Sequence, residues 1–416
     1  MTKSHQTNLL IARIEELWRS GKRKAALRIA RAEAQAGDRE IQHLLATLLG
    51  ADDTRDEERL AEAIHWYDRA AEQGLADDYW RAAALEWRTL RVGDSVDLAA
   101  RYRQAARAGS RTGSRNLITV IGSDVVHGGL DEPGFLGYLR DHAEDGFDEA
   151  QFLLGKCYDC GFLGVQPDPQ IAFQWYLRAA QQGHAHAQCY VGIFYAQGIA
   201  VDRDGDEAVA WYQRAASQGN AKAMCNVGYS YEVGRGPLSA SMEEANRWYQ
   251  RSATAGDPQG QHNLAQSYQL GRGLPKDLAL ATKWYACAAE QGNDFALYEL
   301  GRCCELGQGV DQDDAMAAKL YRLSAVQGFA RAQSRLAFMF AEGRGVPKDE
   351  RQAYFWVLIA CAAGQTDGAE YLKYAESRLS EAQRTLAQTE ARNWKSVPYT
   401  GVTPGGTPSW TIVEIG

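Results

Sequence analysis

From Ile171 to Gly183 the chain reads IAFQWYLRAAQQG: an aromatic pair, Trp175-Tyr176, then paired alanines, then a closing glycine. The same arrangement returns along most of the sequence. Glycines closing alanine-rich segments stand at Gly37, Gly74, Gly109, Gly146, Gly183, Gly219, Gly256, Gly292, Gly328 and Gly364, at intervals of 35 to 37 residues. The aromatic pair or its remnant precedes most of them, as Trp66-Tyr67, Trp211-Tyr212, Trp248-Tyr249, Trp284-Tyr285, Leu320-Tyr321 and Phe355-Trp356. A fixed period of this length is the signature of stacked supersecondary units.

Each period holds two helical patterns. Ala187, Val191, Gly192 and Tyr195 share one helical face, and Ala223, Val227, Gly228 and Tyr231 repeat it one unit later. The small residue of that set is Gly155, Gly192, Gly228, Ala265, Gly301 or Ala337. Mid-helix glycine costs about 1 kcal/mol against alanine, so a close approach by a neighbouring helix is expected there. The second helix carries the aromatic pair and alanines such as Ala288 and Ala289, and ends at the landmark glycine, suited to the left-handed position after a helix. Between the helices lie turns such as Gly271-Arg272-Gly273-Leu274-Pro275-Lys276-Asp277, where Gly permits positive φ, Pro resists helix and Asp caps the next one. Such pairs bury their apolar stripes only by stacking, so the expected fold is an all-α solenoid.

These residues bring a family into view. Ala-x-x-Trp-Tyr-x-x-Ala-Ala-x-x-Gly, followed by runs such as AQSRLAFMFAEGRGV from Ala332 to Val346, resembles the Sel1-like repeat, a relative of the tetratricopeptide repeat. The resemblance implies a right-handed superhelix of about ten helix-turn-helix repeats of 36–37 residues. It is strong over 147–364. It weakens across 75–146, where the pairs become Arg101-Tyr102 and Tyr138-Leu139. The expected organisation is therefore degenerate helical repeats over 1–146, a regular array over 147–364, capping helices over 365–396 and an extended or disordered tail over 397–416. Val126-His127-Gly128-Gly129 and Glu132-Pro133-Gly134 replace the regular turn, marking either a bend or a drifted unit.

The 416 residues are 45% hydrophobic and 24% charged, which is globular composition. A net charge of −8 argues against duplex nucleic acid as the default partner. No apolar run approaches 18 residues, the clean stretch from Phe355 to Ala363 being nine, so no transmembrane segment is expected. The first apolar stretch is broken by Arg13, Glu15 and Glu16, which excludes a signal-peptide core and makes the cytoplasm the expected location. Eight cysteines are too few for a disulfide scaffold.

Catalytic and metal chemistry finds little footing. Cys157-x-x-Cys160 has no second pair to complete a tetrahedral zinc site, and Cys157 falls on the first helix of its unit, where small buried residues are wanted. The vicinal Cys303-Cys304 reads the same way. Cys189 and Cys225 are equivalent positions in adjacent units, about 10 Å apart and too far for a disulfide. Turns such as Gly343-Arg344-Gly345 lack the strand and the Lys-Ser/Thr of a phosphate loop. The eight histidines, among them His184, His186 and His262, show no HExxH and no paired spacing with a nucleophile. A non-catalytic protein without cofactor or metal is expected.

Binding is expected instead. In tetratricopeptide-type superhelices the first helix of each pair lines the concave face, and the resemblance carries that role to this chain. The stripe comprises Phe152, Lys156 and Asp159; Cys189, Ile193 and Gln197; Lys222, Tyr229 and Glu232; His262, Gln266 and Gln269; Tyr298, Arg302 and Glu305; Ser334, Phe338 and Glu342. These positions vary between units while the packing positions repeat, as a binding surface requires. The exposed aromatics would anchor a protein or peptide partner, or else pack between repeats. Relatives of this kind serve as adaptors and scaffolds in bacterial signalling, envelope and secretion systems, and some neutralise toxic effectors. The first expectation is a protein-interaction scaffold; the second is an immunity or inhibitor protein. A third is an anionic-surface or nucleic-acid binder through residues 1–35, which hold eight Lys/Arg against three Glu, with Lys24, Arg28 and Arg31 on one face.

Overall fold

The computed structural model describes residues 3–51, 56–89, 98–126, 134–365 and 369–397. Among them all regular structure is helical, in 22 α-helices and one short 3₁₀ turn at Phe162–Gly164. In chain order these are α1 Lys3–Arg19, α2 Arg23–Gln35, α3 Arg39–Gly50, α4 Glu57–Glu72, α5 Asp77–Thr89, α6 Leu98–Arg107, α7 Arg111–Val126, α8 Phe135–Glu144, α9 Asp148–Cys160 and α10 Pro169–Gln181. They continue with α11 Ala185–Gln197, α12 Gly205–Ser217, α13 Ala221–Val233, α14 Met242–Thr254, α15 Pro258–Leu270 and α16 Leu278–Glu290. The last are α17 Asp294–Leu306, α18 Asp314–Val326, α19 Ala330–Glu342, α20 Glu350–Ala362, α21 Ala369–Arg378 and α22 Glu381–Asn393. None is long and apolar enough to cross a membrane.

The helices form two compact units, Met1–Ala187 and Gln188–Gly416, divided within α11. In the first, Ile41, Leu45 and Leu49 of α3 pack with Leu60 and Ala63 of α4, and a second cluster gathers Leu117, Ile118, Phe135, Leu139 and Leu153. The expected capping segment is α21 and α22 of the second unit: Ala375, Leu379 and Ala387 cover Tyr354 of α20, and a capping box of Ser380 and Gln383 opens α22. The expected tail beyond residue 397 and the turn at 127–133 lie outside the described residues.

Short polar residues start the helices. Asp168, Asp204, Asp277, Asp313 and Asp349 accept backbone N–H groups at the start of α10, α12, α16, α18 and α20. Asn220, Asp257 and Asn293 do the same for α13, α15 and α17. Each cap is worth about 1 kcal/mol. The landmark glycines end the second helices as expected: all ten have positive φ, between 81° and 105°.

The small residue of the first helix admits a tyrosine ring. A Cβ added to Gly155, Gly192 or Gly228 would lie 2.7 Å from the ring of Tyr176, Tyr212 or Tyr249, and at Gly301 it would lie 2.8 Å from Tyr321. Those tyrosines are at most 3% exposed. In α20 the equivalent pair is Trp356 and Val357, one residue later than Phe355-Trp356 suggests, because α20 begins at Glu350 as α16 begins at Leu278. The turns dock by the same close fit. A Cβ on Gly345 would lie 2.0 Å from the carbonyl oxygen of Asp314, so the turn after α19 rests directly on the start of α18.

Candidate functional site

The 13-residue first helices can be compared position by position, because each begins two residues after a landmark glycine. The fifth position holds Phe152, Cys189, Cys225, His262, Tyr298 and Ser334. It is a packing row. Phe152 stacks on His184 at 4.7 Å and lies 5.9 Å from Tyr176. Tyr298 lies 5.6 Å from Tyr321 and 5.2 Å from Phe329. Asn226 and Asn263 donate to the sulfurs of Cys189 and Cys225 at 3.7 and 3.5 Å. Ser334 is buried. His262 is buried between Tyr285 and Phe295, with no partner for Nδ1, and burial lowers its pKa to about 4. It is 7% exposed.

The twelfth position is also engaged from within. Tyr176, Tyr249, Tyr285 and Tyr321 donate their hydroxyls to Asp159 (3.1 Å), Glu232 (2.6 Å), Gln269 (2.9 Å) and Glu305 (2.7 Å). Glu305 is buried and is further held by Arg344 at 3.3 Å and Arg335 at 3.8 Å. Four residues of the expected stripe thus serve a hydrogen-bond ladder between the two helices of four repeats. The signal was present in the sequence as an acid or amide 16 or 17 residues before a tyrosine.

The ninth position differs. It carries Lys156, Ile193, Tyr229, Gln266, Arg302 and Phe338, with Tyr229 exposed and the others half-buried. Arg302 pairs with Glu299 at 2.9 Å, and the Arg235 guanidinium lies 5.6 Å from the Tyr229 ring centre. Lys222 is exposed, its ammonium 4.8 Å from the Tyr190 ring. Gln197 and Glu342 end their helices exposed. Beside them stands a row that sequence reasoning missed. Val233, Leu270 and Leu306, the last residues of α13, α15 and α17, are 48%, 51% and 49% exposed. A helix-ending aliphatic residue before glycine reads as an ordinary cap contact, so periodicity does not flag it.

An amide ladder runs along the fourth position. Gln42, Gln151 and Gln261 donate to the carbonyls of Ala34, Ala143 and Ala253. Their Oε1 atoms, and that of Gln188, accept from Gln73 (2.7 Å), Gln182 (2.8 Å), Gln291 (2.9 Å) and Gln218 (2.8 Å) just after the paired second helix. In α7 the position is Ser114, which meets His142 at 2.5 Å, with Asp145 4.0 Å beyond. The structure thus brings together a serine and a histidine that their spacing does not pair. The Ser114 hydroxyl is buried against the carbonyls of Ser110 and Arg111, inside a helix, where it closes the ladder.

The cysteines are all unpaired, with Cys160 and Cys287 exposed. Burial pushes Cys157 up to about 12 and Cys189 and Cys304 up to about 11, away from thiolate chemistry. Among the described residues no group of His, Cys, Asp and Glu is arranged to hold a metal ion. Arg31, on the basic face of α2, forms a bidentate pair with Glu62 at 2.6 and 2.7 Å, which removes it from that face's free charge.

The family model for the Sel1 repeat matches residues 41–75, 148–184, 185–220, 221–257, 258–293, 294–329 and 330–365, more than half of the chain. The match at 41–75 recovers a repeat in the stretch expected to be degenerate. The solved Sel1 repeat protein from Oxalobacter formigenes is 28% identical, covers 83% of this chain and 88% of its own, and superposes with a TM-score of 0.51. The Sel1-repeat-containing protein YjcO of Escherichia coli is 28% identical over 171 residues, 40% of this chain and 71% of that one. Chitin synthase regulatory factor 3 of Schizosaccharomyces pombe is 28% identical over 145 residues, 33% of this chain, which spans only 16% of that protein's length.

Proposed function

Because this chain belongs to the Sel1 repeat family, whose repeats are protein-interaction modules, we propose that it is a non-catalytic scaffold binding a partner protein across the first helices of residues 188–342. One observation carries the reading. Along these helices the packing positions repeat, whereas the ninth position runs Ile193, Tyr229, Gln266, Arg302 and Phe338, a different chemistry in every unit. A neighbouring row of exposed Val233, Leu270 and Leu306 adds apolar area that no described helix of the unit covers. Varied side chains on a fixed frame, with an aromatic and an arginine among them, suit a specific polypeptide surface. Lys222, Gln197 and Glu342 flank it. Asp159, Glu232, Gln269, Glu305 and His262 hold the frame instead.

The test is affinity capture from source-cell lysate at low and high salt, with wild-type bait beside a Tyr229→Ser/Leu270→Ser/Arg302→Glu bait. The expected result is one stoichiometric protein retained at high salt by the wild type and lost by the variant. Its identity separates an adaptor from an inhibitor of a toxic effector. Equal retention by both baits overturns the assignment of the surface. Capture of acidic species alone, lost at high salt, moves the function to the basic helices of residues 1–35.

A further inference from the structure

The amide ladder is complete in four repeats, where a buried glutamine accepts from a second glutamine placed just after the paired helix. Elsewhere its members change together or compensate. In α13 and α14 both places are apolar, Met224 and Ala255. In α17 the acceptor is Leu297, and Gln327 turns back to donate to the Leu323 carbonyl at 3.3 Å. The pair of α19 and α20 keeps the acceptor without the donor. Gln333, 1% exposed, donates to the Ala325 carbonyl at 3.1 Å, while its Oε1 has no partner. Ala363 occupies the place that Gln73, Gln182, Gln218 and Gln291 fill elsewhere.

A buried acceptor left unpaired is costly, and native structures carry few. Gln333 is one of the residues around a cavity of about 500 Å³, with Leu358, Ile359, Ala363, Gln388 and Trp394, and its Oε1 is covered, so a ligand reaches it only as these side chains shift. The Gln388 amide is directed to the Tyr354 hydroxyl at 3.1 Å, so it does not supply the missing donor. The walls are otherwise mainly apolar, the usual composition of a ligand site with one orienting polar atom.

We propose that this cavity binds a primary carboxamide, the side chain of a glutamine or asparagine from a partner polypeptide. Its N–H donates to Gln333 Oε1, as the ladder glutamine does in four other repeats. Its methylenes lie against Leu358, Ile359 and Trp394. A neutral acceptor in a mainly apolar wall, with Arg392 among the lining residues, disfavours a lysine or arginine. The site is separate from the ninth-position surface, so either can fail without the other.

The probe is N-acetyl-glutaminamide, compared with its side-chain acid isostere, N-acetyl-glutamic acid α-amide, by ligand-detected NMR titration of the full chain. The wild type is expected to bind the amide saturably in about the millimolar range, as suits a small ligand. The isostere, lacking the donor, is expected to bind at least about tenfold more weakly. Ala363→Gln completes the ladder and fills the cavity, so it should raise the melting temperature and abolish binding. Gln333→Met, which installs the side chain that α13 carries at this place, should also abolish binding. Equal binding of the two probes, binding that survives Ala363→Gln, or no binding of the amide overturns the proposal. The last outcome, with a raised melting temperature for Ala363→Gln, would mean that solvent alone satisfies Gln333.

Discussion

The ring of Tyr249 lies against Gly228 so closely that a Cβ on the glycine would meet its Cδ1 at 2.7 Å and the Ala245 carbonyl oxygen at 3.1 Å. Helix α13 therefore tolerates glycine in mid-helix because only hydrogen leaves room for the ring. In the next repeat the equivalent place is held by Ala265, buried in the same cluster as Tyr285.

Gly228→Ala should accordingly lower stability although alanine is the better helix former. Overpacking costs about 1–3 kcal/mol and helix propensity returns about 1 kcal/mol, leaving a net loss of about 1 kcal/mol. Equilibrium urea unfolding would measure it. A stabilised variant would show that the helix pair spreads freely, contrary to this packing.

The tyrosine ladder should be uneven in strength. Tyr321 donates to a buried carboxylate, so Tyr321→Phe should cost about 2 kcal/mol. Tyr212 has Ala196 where the other units place an acceptor, so Tyr212→Phe should cost under about 0.5 kcal/mol. Comparable losses from the two variants would remove the hydrogen bond as the cause.

Ala200 has φ of +59°, in the place where later turns put Gly236, Gly273, Gly309 and Gly345 at φ between 58° and 75°. A side chain in that conformation costs about 1–2 kcal/mol, part of which glycine gives back as unfolded-state entropy. Ala200→Gly should raise stability by about 0.5–1 kcal/mol, read as a higher melting temperature. A lower one would show that the turn does not bear this strain.

Acid should weaken the second unit through His262. Its pKa falls from an ordinary 6.5 to about 4 on burial, so between these values the unfolded chain binds a proton that the folded one refuses. Stability is then fully present above pH 6.5 and declines as the pH falls towards 4, by roughly 3 kcal/mol at most. His262→Phe should flatten that decline between pH 6.5 and 4.5, where the wild type loses stability. Parallel curves for the two proteins would exclude the histidine as the cause.

The period, the caps and the closing glycines were legible because each is a local requirement written at a fixed spacing. Gly228 signalled its close contact for the same reason: a mid-helix glycine needs a cause. What the sequence concealed is which polar side chains look outward. Asp159, Glu232, Gln269 and Glu305 sit on helix faces that polarity alone assigns to solvent, yet each is held by a tyrosine of the following helix. His262 shares its helical position with Phe152 and Tyr298, and the aromatic surroundings that bury it come from other elements. Conversely, Val233, Leu270 and Leu306 read as caps but stand exposed. Helical periodicity reports one helix at a time, whereas orientation at these positions is decided by the next.

The reach of the internal bonds has a last consequence. The tyrosine ladder spans 16 or 17 residues, the glutamine ladder 30 or 31, and the Asn–Cys pairs 37 or 38. The first two lie within one repeat, and the third ties a repeat to its immediate neighbour. Contact order within each unit is therefore low, folding can begin at any adjacent pair, and unfolding should proceed from the ends inward rather than all at once. Excising one whole repeat, such as residues 258–293, removes its tyrosine and glutamine bonds as closed pairs and cuts only the bonds to its neighbours, such as that from Asn263 to Cys225. The chain can change length by whole repeats with less disruption than a single misplaced residue within one would cause.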